Sequence, residues 1–161
     1  GEQIVGNKLN RLWRDGYQVF HDFPLDVGNI DHVLVGPGGV FAIETKYRRK
    51  EKGRKDGHIV RLEGDTLRFP KSSSNGDLNQ AKRQADDLEK KLSKLFGETP
   101  VHPVLVFPGW FVDWENGSSR VLVGNGKSVI KSLSNRKPTL SSEKVNSIGT
   151  FIRGCCSDVE V

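Results

Sequence analysis

A chain of 161 residues can bury roughly two thirds of its unfolded surface around one core, so no disulfide scaffold is needed to hold it together. The two cysteines, Cys155 and Cys156, are adjacent, which excludes a disulfide framework and a four-ligand zinc site and fits a reducing, cytoplasmic setting. No apolar run approaches the roughly 18 to 20 residues of a membrane span and no leader pattern is visible, so no membrane partner is expected. The length suits a single domain, residues 1–161, with its core over about residues 1–107 and additions over residues 108–161, and the absence of any Met suggests that it is taken from a longer protein.

The net charge of +5 is unevenly placed. Residues 46–55, KYRRKEKGRK, carry seven basic side chains and one acidic, a local net of +6, so the remainder is close to neutral. Such a strip is either a solvated loop or a grip on a polyanion, since phosphate contacts supply most non-specific nucleic-acid affinity. Its position directly after a carboxylate-bearing strand favours substrate contact by Arg48, Arg49, Lys50, Lys52, Arg54 and Lys55.

Residues 1–14 place Val5, Leu9 and Leu12 at helical spacing, and Asp15-Gly16 ends the stretch. Glu2 falls on the same stripe, where its carboxylate either interacts with the helix N-terminus, worth up to about 1 kcal/mol, or reaches a functional site. Residues 17–23 read as a strand closed by Pro24. Residues 29–46, NIDHVLVGPGGVFAIETK, then give two β-branched runs around Gly36-Pro37-Gly38-Gly39, which is hairpin chemistry.

If Gly36 to Gly39 form the loop, Val35 faces Val40 and Asp31 faces Glu44. Alternation puts Asp31, Val33 and Val35 on one face with Val40, Ala42, Glu44 and Lys46, and turns His32 to the other face as a packed, hydrogen-bonded histidine. Directly opposed residues have Cβ atoms about 4.5 to 5.5 Å apart, where like charges repel. Two facing carboxylates need a cation between them: Lys46 alone, in a solvated strand-end salt bridge, or Lys46 with a divalent metal. Mg²⁺ suits such a site, with Mn²⁺ as the other candidate, because hard oxygen ligands and one or two carboxylates suffice when substrate phosphate completes the shell. Both faces of the hairpin are apolar in the middle, so helices should cover the sheet on both sides in an α/β layered domain.

Further on, residues 58–62 and 66–69 form a small hairpin, and residues 71–76, KSSSNG, read as a flexible linker. Leu78, Ala81, Ala85, Leu88, Leu92 and Leu95 mark a helix over residues 77–96 that Gly97 ends. Gln80 and Gln84 lie on its flank, Gln84 as an ordinary surface residue. Residues 101–107 are an apolar strand in which Pro103 argues for an edge position or an irregularity. Trp110, Phe111 and Trp114 either stack on bases or, as we favour, pack over a core edge. Residues 120–124 suggest a last strand. The following Gly126-Lys127-Ser128 is not a phosphate-binding loop, because the glycine that motif requires at position 121 is Val. Residues 141–153 read as a packing helix.

Asp31, followed a hairpin later by Glu44-Thr45-Lys46, resembles the D…(D/E)xK core of restriction-endonuclease-like nucleases. More narrowly, Gly1-Glu2, Asn29-Ile30-Asp31-His32, the Gly36-Pro37-Gly38-Gly39-Val40-Phe41 block and a downstream helix carrying Gln80 resemble the nuclease-related domain family over about residues 1–107. The resemblance implies a restriction-endonuclease-like αβββαβ core and a metal-dependent nuclease acting on nucleic acid, with DNA the expected substrate. It assigns Asp31 and Glu44 to the metal with the Thr45 carbonyl, Lys46 to the attacking water, and Glu2 and Gln80 to completing the site. The alternative is a nucleic-acid-binding module of the same fold without turnover. Relatives are often fused to further domains, and none is visible here.

Overall fold

The computed structural model describes residues 2–116 and 119–157, and for residues 2–4, 115–116 and 157 the backbone only. The β-branched runs flanking the Gly/Pro turn form strands β2 (Asn29–Gly36) and β3 (Gly39–Thr45) in the expected register, Val35 with Val40 and His32 with Ile43, but Gly36 also pairs with Gly39, so the loop is the two residues Pro37-Gly38 rather than four. Gly39 has φ +130°, and a Cβ on Gly36 would overlap the buried Tyr17 ring, whose hydroxyl accepts the Gly38 N–H at 3.1 Å.

Around this hairpin the main sheet runs β1-β2-β3-β7-β9. Strand β1 (Gln18–Pro24) is antiparallel to β2, whereas β7 (Val101–Val106) joins β3 in parallel and β9 (Leu122–Gly124) joins β7 in parallel. The parallel step requires a crossover, and helix α2 (Gly76–Phe96) provides it. Its Ala85, Leu88 and Leu92 meet Val33, Val35, Val40 and Ala42 on one face of the sheet, together with Ile148 and Ile152 of α4 (Ser142–Ser157). On the other face Val5 and Leu9 of α1 (Glu2–Leu9) and Val129 and Leu133 of α3 (Gly126–Ser134) cover Leu34, Phe41 and Ile43. The molecule is thus α/β with mixed sheets flanked by helices, consistent with a restriction-endonuclease-like core whose order is α1, β1 to β3, α2, β7. Among the described residues no helix is long and apolar enough to cross a membrane.

A second, smaller sheet of order β6-β5-β4-β8 combines β4 (Ile59–Glu63), β5 (Thr66–Arg68) and β6 (Ser73–Ser74), which lie between β3 and α2, with β8 (Phe111–Asn116), which follows β7. Its apolar side, Val60, Leu62 and Leu67, packs with Phe107, Trp110 and Leu78.

Four sequence expectations need correction. The first helix changes at Asn10 into a 3-10 segment (Asn10–Asp15) that Gly16 closes at φ +86°. Residues 71–76 are not simply a linker, because Ser73 and Ser74 pair with Arg68 and Leu67. Strand β7 is interior rather than an edge. Lys46 N donates to Val106 O and Phe107 N to Gly124 O, so by alternation Pro103 faces the β9 side, where pairing begins only at Val104 and its missing N–H breaks no ladder bond. Lastly, β8 and α3 stand where the sequence pattern predicts no element. Asn125 caps α3, its side chain accepting the Ser128 N–H at 2.9 Å while Ser128 Oγ accepts the Asn125 N–H at 3.1 Å.

Candidate active site

The hairpin ladder places Asp31 and Glu44 one step beyond the His32–Ile43 pair, at the open end of the sheet face that α2 covers. The two carboxyl groups interact directly. Burial pushes the Glu44 carboxyl up to about 8, and the neighbouring Asp31 carboxyl adds to the shift through both hydrogen bonding and charge. Opposing this, the Gln84 amide and the Lys46 ammonium each stabilise the ionised form. Asp31, Glu44 and Lys46 are therefore brought to one place by one hairpin.

Backbone geometry holds the acids. Thr45 N donates to Asp31 Oδ2 at 2.9 Å, which fixes that carboxylate across the strand gap. Since Lys46 N points to β7, alternation turns the Thr45 carbonyl toward β2, the same side as Asp31. Glu44 is 6 % exposed, and its Oε2 is buried with no hydrogen-bond partner among the described residues, as is Thr45 Oγ1. A buried carboxylate oxygen left without a donor is costly, by about 1 to 3 kcal/mol or more, so the position is suited to an added cation or to a proton. Among the described residues no group of three or more His, Cys, Asp or Glu is set to hold a metal. Two carboxylates and a carbonyl nevertheless match the sparse protein shell that Mg²⁺ accepts.

The other expected residues are placed as follows. His32 is buried, turned to the opposite face, with its Nδ1 2.9 Å from Nδ1 of His21. Glu2 opens α1, and its side chain lies outside the described residues. Gln80 is half-buried on α2, and its side chain makes no hydrogen bond among the described residues. Gln84 is the amide set beside Glu44: it is 4 % exposed and its Nε2 donates to Asn29 O at 3.3 Å. The reading of Gln84 as a surface residue is corrected. Its signal was present in the sequence, because position 84 lies three after Ala81 and four before Leu88, on the buried stripe where a polar residue needs a partner.

The basic strip divides. Arg48 is half-buried, ion-paired to Asp77 at 3.8 Å, and its guanidinium lies 3.9 Å from the Phe69 ring centre, so it builds structure instead of projecting to solvent. Arg54 is exposed and bonded to Asp56 at 3.1 Å. Arg49, Lys50, Lys52 and Lys55 are exposed. Of the aromatics, Trp110 is buried at the core edge, whereas Phe111 and Trp114 remain exposed.

A family model described as NERD, nuclease-related domain, matches residues 1–108. No curated protein and no solved structure matches the chain.

Proposed function

Because the chain belongs to the nuclease-related domain family, we propose that it is a metal-dependent nuclease domain that hydrolyses phosphodiester bonds in DNA. The observation that carries this reading is the closed pair of carboxylates, Asp31 and Glu44, with one buried Glu44 oxygen that no donor among the described residues satisfies. In a purely structural salt bridge that oxygen would be taken by Lys46. Instead the donor set fits Mg²⁺ or Mn²⁺, held by Asp31, Glu44 and the Thr45 carbonyl. When bound, the ion would polarise a phosphoryl oxygen and acidify a water.

The chain's own groups supply the rest. Lys46, whose charge already reaches Glu44, would orient the attacking water, help remove its proton and stabilise charge that develops on the phosphoryl oxygens. Gln84 would keep the Glu44 carboxyl aimed at the ion. Gln80, one turn nearer the helix N-terminus, would contact substrate, and Glu2 would be a further acid of the site. Arg49, Lys50, Lys52, Arg54 and Lys55 would follow the phosphate backbone, with Arg48 acting through the wall it builds.

The test is a cleavage panel over linear, supercoiled and branched DNA and over RNA, with Mg²⁺ or Mn²⁺, beside Lys46→Ala. Expected is cleavage of DNA that chelation stops and that the variant loses by about 100-fold or more. Salt-sensitive binding with no cleavage anywhere on the panel would instead make the domain a binding module, and undiminished cutting by Lys46→Ala would remove the role given to the amine.

A further inference from the structure

A cleft of about 520 Å³ opens beside Lys46, lined among others by Tyr47, Arg48, Arg49, Phe69, Lys71 and Trp110. Its aromatic floor is held from several sides. Phe69 and Trp110 meet edge to face with ring centres 5.3 Å apart, Arg48 stacks on Phe69, and Trp110 Nε1 donates to the Arg48 carbonyl at 3.1 Å. One wall comes from the segment that joins β5 to β6, which supplies Phe69, Pro70, Lys71 and Ser72.

The rim is cationic. Asp77 answers Arg48, and Glu51 answers Lys71 at 3.2 Å, while Arg49 makes no ion pair among the described residues. Lys46 belongs both to this rim and to the carboxylate site. Next to it in sequence Tyr47 stands 57 % exposed, an aromatic ring presented to solvent at the mouth of a positively charged cleft.

Size and chemistry together select the occupant. The volume is within the roughly 300 to 1,000 Å³ of small-ligand sites, whereas a duplex presents grooves of about 6 and 12 Å between charged backbones and keeps its base faces inside the stack. Only an unpaired nucleotide can offer a flat base to an aromatic ring and a phosphate to adjacent cations at the same time. We propose that the cleft takes one unpaired nucleotide of the strand being cut, its base on Tyr47 and its phosphate between Arg49 and Lys46, so that the substrate class is DNA with a single-stranded segment at the cut. The position of the cut rests on the nuclease reading above; the binding of the nucleotide does not.

The experiment is fluorescence anisotropy in chelator at physiological salt, with a short oligothymidylate and a blunt duplex as probes. Expected is tighter binding of the oligothymidylate, weakened by Tyr47→Ala about tenfold or more, the range of one lost base stack, and retained by Tyr47→Phe. Duplex binding should be the same in all three proteins. Equal affinity for the two probes, or an oligothymidylate affinity indifferent to Tyr47→Ala, overturns the proposal. A parallel digestion of tailed and blunt duplexes in Mg²⁺ separates the two readings. Cutting of both at the same rate leaves the nuclease and removes the cleft assignment. Single-strand binding that depends on Tyr47, with no cutting at all, leaves the cleft and removes the nuclease.

Discussion

Replacing Glu44 with Gln keeps the shape of the side chain and removes the charge that the metal-free fold resists. Burial first, and the Asp31 carboxyl second, push the Glu44 carboxyl from its ordinary 4.5 to about 8. A group that holds its proton more tightly folded than unfolded contributes stability that is fully present below the unfolded value, near 4.5, and is lost as the pH rises through about 8. At about 1.36 kcal/mol per tenfold change in proton affinity, the loss between pH 4 and pH 7 is on the order of 3 kcal/mol, shared within the coupled pair. Gln carries no such penalty, and its amide can donate to Asp31. Glu44→Gln should therefore raise the unfolding free energy at pH 7 by up to about 3 kcal/mol and change it little at pH 4. Urea denaturation in chelator at the two pH values, followed by tryptophan fluorescence, measures this. A gain of equal size at both pH values, or a loss at pH 7, would refute the linkage reasoning.

Other consequences follow from the same geometry. Gly36→Ala should cost about 3 kcal/mol or more, since its Cβ would have to displace the Tyr17 ring that clamps the turn; a urea midpoint like that of the wild type would show that the ring gives way freely. Gln84→Leu removes a group that stabilises ionised Glu44, so the pH at which Mn²⁺ binding reaches half its plateau should move up from the wild-type value. An unmoved profile would leave Gln84 as packing alone.

The hairpin was readable in the sequence because strand periodicity is two and the Gly-Pro-Gly-Gly loop leaves one register, and from that register the meeting of Asp31 and Glu44 follows. Leu88 and Leu92 marked α2 for the same kind of reason, an unbroken apolar stripe. What local pattern could not give is which neighbour a residue meets across the fold. Gln84 reads as surface until α2 is laid over Asn29 and Glu44. Arg48 reads as a free cation until Phe69 and Asp77, more than twenty positions away, arrive beside it. Pro103 argues for an edge only while the length of β9 is unknown, since a short neighbour leaves an interior strand with one open flank. Strand β8 escaped notice because Trp110 and Phe111 read as a loop cluster, and its pairing with β4 is parallel and distant in sequence.

Titration of Mn²⁺ into the purified domain near pH 7.5, with proton release recorded in buffers of differing ionisation enthalpy, probes the paired acids without requiring turnover. The wild type should bind one ion and release protons, with affinity rising as the pH approaches 8, because the cation must displace the proton that Glu44 otherwise keeps. Asp31→Asn should lose that binding, whereas an Asp31→Asn protein that takes up Mn²⁺ with the wild-type affinity and proton count would contradict a metal site at these carboxylates.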